Sequence, residues 1–426
     1  MLDIKLIREN KEAVEAKLKT KELDVNLSNI LDYDLKIRQL KTKGEQLKSS
    51  RNTCSKDIGE KKRKGENVDQ IVQEMATIAT EIDTIDKELS QIEEKYNKEM
   101  AVLPNLPLDE IKISQDPKEN VITKIHGNKP SFTFSFKNHV ELNERLDLFD
   151  FKRGAKITGA GWPVYSGLGA RLEWALINYL ISCNLKKGFK QFMPPLLVRP
   201  DILFGSGQLP KFEHQQFKLH DDEFNLYLIP TAEVPLNGLH IDEILPEEDL
   251  PLKYMAYTQC FRREAGAAGA NERGLIRTHQ FNKVEMFSFC KPAESPKIFD
   301  EMVENAEGIL QGLGIHYRIA LLVTGDMSFA SAKTVDMEVW LPGQDRYYEV
   351  SSISNCTDYQ ARRSNIRYRE KGGKPEFVHT LNGSGLATSR LMVAILENNQ
   401  NEDGSINIPA VLQPYLDGLK KLEPVR

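Results

Sequence analysis

The chain has 426 residues, enough for two to three domains, with 57 basic and 62 acidic side chains and a net charge of −5. That balance argues against a surface that binds nucleic acid indiscriminately, and the 40% hydrophobic and 28% charged content is that of an ordinary folded protein. No apolar run approaches the roughly 18–20 residues of a membrane span, and Asp3 and Lys5 interrupt the apolar start, so neither a transmembrane helix nor a secretory signal is expected. Cys54, Cys183, Cys260, Cys290 and Cys356 are scattered without a CxxC spacing, which points to a reducing, cytoplasmic setting and to no zinc site.

The first hundred residues form a separate object. Apolar residues fall at Ile30, Tyr33, Ile37, Leu40, Leu47, Cys54 and Ile58, with Gly44 and Arg51 interrupting the seam. A second run, Ile71, Met75, Ile78, Ile82, Ile85, Leu89, Ile92 and Tyr96, alternates steps of four and three without a break, which is a heptad seam. A polar, glycine-bracketed stretch over 59–67 joins them, so an antiparallel helical hairpin with its tip there is predicted over 1–103. Each helix would reach about 50 Å.

Charge is segregated along this hairpin. Lys36, Arg38, Lys41, Lys43, Lys48, Arg51, Lys56, Lys61, Lys62, Arg63 and Lys64 are opposed within their stretch by Glu45, Asp57 and Glu60, whereas 65–100 is dominated by Glu and Asp. Two readings stand open: two solvated faces that attract each other, or a phosphate-binding stripe. The four consecutive cations at the tip favour the stripe, and the scarcity of aromatics favours recognition of RNA backbone and shape over base stacking.

Residues 104–130, short and proline-punctuated, read as a linker and leading strand, and 131–426 as a mixed α/β domain. An amphipathic helix is predicted over 165–187 with Leu168, Leu172, Ala175, Leu176, Tyr179 and Leu180 on one stripe and Gly188 as its C-cap. A strand over 189–198 follows, carrying Pro194 and Pro195 and hence placed at an edge or bulge. There is no GxxxxGK[ST], no GxGxxG after a strand and no GxSxG, so any use of ATP proceeds without a P-loop or Rossmann turn.

The segment from Tyr254 to Phe289 carries the densest chemistry. On a strand reading, Ala256, Thr258, Cys260, Arg262 and Glu264 share one face. After a Gly- and Ala-rich loop over 265–276, Arg277, His279, Phe281, Lys283, Glu285 and Phe287 share another. Paired antiparallel, the strands present two arginines, two carboxylates and a ring on one surface. That surface is either a solvated face with cross-strand ion pairs or one whose small residues leave room for a ligand that the charges meet.

The motifs decide between these. Phe261-Arg262-Arg263-Glu264 followed by Arg277-x-x-x-Phe281 resembles motif 2 of the class II aminoacyl-tRNA synthetases, within 254–287. Gly383-Ser-Gly-Leu-Ala-Thr-Ser-Arg390, running into an apolar helix, resembles motif 3, over 382–397, and the helix with Gly188 and Pro195 resembles motif 1, over 165–198. Thr231-Ala232-Glu233, His279-Gln280-Phe281-x-Lys283-Val284-Glu285, Glu349-Val350-Ser351-Ser352 and Asn382-Gly383-Ser384-Gly385 are similar to the seryl-tRNA synthetases of the common bacterial type, which also carry the N-terminal hairpin. The resemblance covers essentially the whole chain. Arg263 departs from it, standing where a small polar residue is expected, as does the stretch Ile353-Ser354-Asn355-Cys356.

The resemblance implies an α+β architecture, a long antiparallel coiled coil plus a catalytic domain on an antiparallel sheet flanked by helices. It implies ATP-dependent ligation of L-serine to tRNA(Ser) through a seryl adenylate, and serylation of tRNA(Sec) where one exists. The alternative is a related amino acid ligase with a non-tRNA acceptor. Arg262 and Arg390 are carried over as catalytic, holding the α- and γ-phosphates. Arg262, Arg263, Glu264, Phe281, Glu349, Val350, Ser351, Ser352 and Arg390 form the implied ATP set, with Glu349 and Ser352 as Mg²⁺ ligands. Thr231, Ala232, Glu233, Glu285, Asn382 and Ser384 form the implied serine set. The basic stripe is the expected tRNA contact, and a homodimer whose arm serves the other subunit is implied.

Overall fold

In the computed structural model, residues 1–263 and 274–425 are described. The chain divides into two compact units, Met1–Leu103 and Pro104–Arg426. The first contains two short helices, Ile4–Glu9 and Lys11–Lys19, and two long ones, α1 (Ser28–Arg63) and α2 (Asp69–Ala101). The predicted seam is buried at Ile30 and Ile37 on α1 and at Ile78, Ile82, Ile85 and Ile92 on α2. Gly44 does not break the seam: it is buried, and a Cβ there would lie 3.6 Å from Ile85 Cγ2, so the small residue faces a large one. The tip is shorter than expected, because α1 runs through Gly59 to Arg63. Within a helix this long, a single glycine costs about 1 kcal/mol, which the flanking turns override.

The second unit is built on an eight-stranded sheet. Its strands in chain order are β1 (Val121–His126), β2 (Lys190–Phe192), β3 (Leu252–Phe261), β4 (Gln280–Cys290), β5 (Tyr317–Leu321), β6 (Lys333–Leu341), β7 (Arg346–Asn355) and β8 (His379–Ala387). They lie in the order β1-β5-β6-β7-β8-β4-β3-β2, antiparallel except for the β2–β3 pair. Helices α3 (Gly167–Lys186), α4 (Ser295–Leu313) and α5 (Thr388–Asn398) cover one face, and Leu172, Leu176, Leu180, Met302, Leu310, Leu391 and Ile395 belong to one core with Met286, Met337 and Leu381 of the sheet. Among the described residues no helix is long and apolar enough to cross a membrane.

Two sequence expectations change here. The segment 104–130 is part of the second unit: Asn105 Nδ2 donates to the carbonyls of Ala330 (2.9 Å) and Cys356 (2.8 Å), and β1 closes one edge of the sheet. The strand expected over 189–198 is split. Pro194 and Pro195 lie between β2, which is the opposite edge strand, and a separate short strand at Leu197–Val198, because proline cannot supply the ladder's N–H.

Three ladders position the site. Between β3 and β4 the register is regular, so Ala256, Thr258 and Cys260 stand opposite Glu285, Lys283 and Phe281 on one face, as the period-two reading requires. The other two ladders each contain a bulge. On β7, Ser351 pairs with Met337 but Glu349 with Glu338, which leaves Val350 as an extra residue. On β8, Ser384 pairs with Glu285 but Ala387 with Lys283, and Leu386 sits there at φ 91°, a backbone region that a branched side chain enters only under constraint.

Candidate active site

A cleft of about 510 Å³ opens over these strands. Arg262, Phe281, Glu349, Val350, Ser352 and Arg390 line it, and so do Thr231, Glu233, Glu285, Asn382 and Ser384. The members of the predicted ATP and serine sets that line it thus form two regions of one cavity. The bulge at Val350 explains how Glu349 and Ser352, three residues apart, both face it.

At one region, the Arg262 guanidinium lies 5.1 Å from the Phe281 ring centre, and its Nε donates to the Pro230 carbonyl at 3.4 Å. Arg390 is braced from its own side of the cleft. Its Nη1 donates to the Glu349 carbonyl at 2.7 Å and lies 3.6 Å from the Glu349 carboxylate, and its Nε donates to the Ile276 carbonyl at 3.2 Å. The wall carrying Ile276 is fixed from behind. The Leu275 N–H donates to His139 Nε2, and His139 Nδ1 lies 2.8 Å from the buried carboxylate of Glu397 on α5.

At the other region, two carboxylates are gathered. The Thr231 hydroxyl donates to Glu285 Oε2 at 3.2 Å, and Lys283 Nζ donates to Thr231 Oγ1 at 2.7 Å while pairing with Glu285. Glu233 accepts from Gln360 Nε2 at 2.6 Å and from Asn382 Nδ2 at 3.1 Å. Burial, and next the charge of Glu285, push the Glu233 carboxyl up to about 7, against the pull of Gln360, Lys283 and Arg262. The Ser384 hydroxyl oxygen accepts from the Leu386 N–H at 3.1 Å, so the bulge holds it.

Residues 1–107 match the seryl-tRNA synthetase N-terminal domain, and residues 216–399 match the class II tRNA synthetase core domain of types G, H, P, S and T. A serine–tRNA ligase of Chlamydia pneumoniae is 51% identical over 424 residues, spanning 100% of this chain and 99% of that one, and one from Chlamydia abortus is 52% identical over all of both. The chain belongs to the seryl-tRNA synthetase family. Its fold matches the crystal structure of seryl-tRNA synthetase from Pyrococcus horikoshii complexed with ATP, at a TM-score of 0.91 and 38% identity over 100% of both chains. It also matches the cytoplasmic serine–tRNA ligase from Naegleria fowleri in complex with AMP, at a TM-score of 0.87 and 29% identity over 100% of this chain and 99% of that one.

Not every residue of the family's motifs reaches the cleft in this synthetase. Ala232 is fully buried and does not line the cavity. Ser351 is also buried and donates its hydroxyl to the Ser384 carbonyl at 2.5 Å, stitching β7 to β8. Arg263 is exposed and does not line the cavity, and Glu264 lies outside the described residues. His279 leaves the face expected of it: β4 begins one residue later, and the imidazole stacks on Trp162, with 5.3 Å between ring centres. Conversely, Lys283 and Gln360 lie outside the predicted serine set and contact it. Lys283 was visible on the shared strand face; Gln360 had no signal. Nor did Phe212 and Phe329, which line the cleft with ring centres 6.2 Å apart.

Proposed function

We propose that the chain condenses L-serine with ATP to seryl adenylate, releasing pyrophosphate, and passes the seryl group to a terminal ribose hydroxyl of tRNA(Ser), releasing AMP. The observation that carries this is the joining, in one cleft, of a phosphate-and-ring region (Arg262, Phe281, Arg390) to a carboxylate-and-hydroxyl region (Thr231, Glu233, Glu285, Ser384). Phe281 carries the adenine, Arg262 grips the α-phosphate through its planar fork and Arg390 takes the γ-phosphate. Glu285, Thr231 and Glu233 hold the serine ammonium, and Ser384 bonds the serine hydroxyl. Alanine is refused because these groups would be left without partners.

Glu349 and Ser352 would hold Mg²⁺. The bulge brings these hard oxygens to one side, and Asp336, register partner of Ser352, carries a buried oxygen, Oδ1, with no hydrogen-bond partner among the described residues, so the donor set fits a cation. When bound, the ion neutralises phosphate charge.

For the arm, the ion pairing refines the stripe. Lys36, Lys41 and Lys48 pair with Glu88, Glu93 and Asp86, and Arg38 with Asp34. Among the described residues, Lys43, Arg51, Lys56, Lys61, Lys62, Arg63 and Lys64 have no acidic partner within 4 Å and are the ones we assign to the RNA backbone of a long variable arm, on tRNA(Ser) and on tRNA(Sec) where it exists. Exposed apolar side chains around motif 1, including Ile157, Trp174 and Met193, support a homodimer, in which the arm serves the other subunit. The enzyme works in the cytoplasm.

The test is ATP–pyrophosphate exchange with serine, threonine, alanine, glycine and cysteine in parallel. Exchange with serine alone, lost in Arg262→Ala, is expected. Exchange led by alanine or glycine would mean a ligase with a different acceptor.

A further inference from the structure

Three side chains of β4 reach the cleft in succession, Phe281, Lys283 and Glu285. Successive same-face residues of a strand are about 6.6 Å apart. Lys283 therefore stands midway between the ring assigned to the adenine and the carboxylate assigned to the serine ammonium, where the serine carboxylate must meet the α-phosphate. It is 8% exposed. Its neighbours across the ladders are small, Thr258 on β3 and Ala387 on β8.

The partners of Lys283 are the notable point. Its ammonium donates to Thr231 Oγ1 at 2.7 Å and is ion-paired with Glu285 Oε2, and these are two of the groups assigned to the serine ammonium. Two ammonium groups on the same two oxygens repel each other, strongly so where water is scarce. When serine binds, one must leave. The substrate's is tethered to its own carboxylate, whereas Lys283 carries its charge on a flexible four-carbon stem that can be redirected without moving the strand.

Resting on the functional reading above, we propose that Lys283 is a catalytic residue of adenylate formation that exchanges partners: in the empty cleft its ammonium stands in for that of the substrate on Thr231 and Glu285, and, displaced by serine, it donates to a non-bridging oxygen of the α-phosphate. In the step it serves, a serine carboxylate oxygen forms a bond to the α-phosphorus, and the bond from that phosphorus to the bridging oxygen breaks. The electron pair leaves with pyrophosphate. Lys283 keeps its proton throughout and stabilises the charge that builds on the equatorial oxygens.

The test has two arms. In serine-dependent ATP–pyrophosphate exchange, Lys283→Met is expected to lower kcat by about 10²–10³, the loss that follows removal of one donor to a developing oxyanion. The KM for ATP should stay within twofold, and the KM for serine should not rise, because the competing ammonium is gone. Lys283→Arg, which keeps a charged donor, should recover at least tenfold of the kcat. A Lys283→Met enzyme with normal kcat, or one whose loss lies in the serine KM alone, overturns the exchange. The second arm uses the unmodified protein, crystallised with a non-reactive seryl adenylate analogue. Nζ is expected within about 3.2 Å of a phosphoryl oxygen and withdrawn from Thr231. Nζ still on Thr231 and Glu285 refutes the proposal whatever the variants do. Absence of serine-dependent exchange in the unmodified protein would instead overturn the functional reading.

Discussion

The ion pairs of the arm divide its cations into two groups, and salt dependence separates them. Lys36, Lys41 and Lys48 are held by acids of α2 at 2.8–3.4 Å, whereas Lys61, Lys62, Arg63 and Lys64 have no acidic partner within 4 Å among the described residues. Each phosphate neutralised adds about 0.9 to the slope of log K against log salt, so removing four such contacts flattens it by up to about 3.6. Between 50 and 200 mM salt each contact is worth about 3.5-fold, and four together about 150-fold. Replacing the tip quartet by glutamine should therefore weaken tRNA binding and flatten its salt dependence by up to about 3.6, leaving a slope of about 2.7 carried by Lys43, Arg51 and Lys56. Replacing Lys36, Lys41 and Lys48 should change the slope by less than about one and cost the hairpin only about 0.2–1 kcal/mol per exposed pair. Fluorescence anisotropy of a labelled serine tRNA over a KCl series measures both, with pyrophosphate exchange as the control that neither variant should disturb. If the proximal trio flattens the slope as much as the tip quartet, pairing with α2 does not mark off the residues that meet RNA.

Further outcomes follow from the second unit. Because the Glu233 carboxyl is held up to about 7, serine must expel a proton below that pH. The serine KM should fall about tenfold per unit from pH 5.5 to 7 and then level off, and Glu233→Gln should remove the dependence. The same shift lets the folded state bind more protons than the unfolded one between about 4.5 and 7, so this group's contribution to stability declines as pH rises through that window, as urea titrations at several pH values would register. Glu173 on α3 bonds Asn282 Nδ2 at 2.8 Å and the Thr388 hydroxyl, and burial raises its pKa towards the neutral acid. Glu173→Gln should stay within about 1 kcal/mol of the parent in urea denaturation, while Glu173→Ala, which strands the Asn282 amide and leaves the Thr388 hydroxyl only the Asn282 carbonyl, should cost about 1–3 kcal/mol. Equal costs would refute the reading that an uncharged acceptor suffices at this position. A Cβ at Gly383 would lie 2.8 Å from Ile353 Cγ1, so Gly383→Ala should cost about 1–3 kcal/mol in urea denaturation, and the double variant with Ile353→Ala should cost less than the two single costs added together.

Sequence pattern carried some parts of this molecule and missed others for identifiable reasons. The α1–α2 hairpin was legible because its seam is a long periodic signal that one glycine does not erase; the tip is shorter than the polar, glycine-bracketed stretch suggests because Gly59 lies within α1. The shared face of β3 and β4 was legible because their ladder has no bulge, so alternation in sequence is alternation in space. Lys283 was on that face from the start. It also lies in the motif that carries the resemblance, but only its contacts with Thr231 and Glu285 show what it holds.

The bulges were not legible, and they decide which motif residues meet in the cleft. Strict alternation along β7 would put Glu349 and Ser352 on opposite faces. The extra residue Val350 shifts the phase, bringing both to the cavity and sending Ser351 inward to bond β8. On β8 the same device, with Leu386 at φ 91°, brings Ser384 and Ala387 to one side. A contiguous motif such as Glu349-Val350-Ser351-Ser352 is therefore a path of backbone, in which some residues face the ligand site and others hold the bulge in place. Side chains fixed this way sit on rigid strands braced by neighbouring ladders, as a site that acts by positioning charge demands. It follows that Ser351 should matter through the geometry of Ser384, which its hydroxyl bonds, and through no contact of its own with ATP.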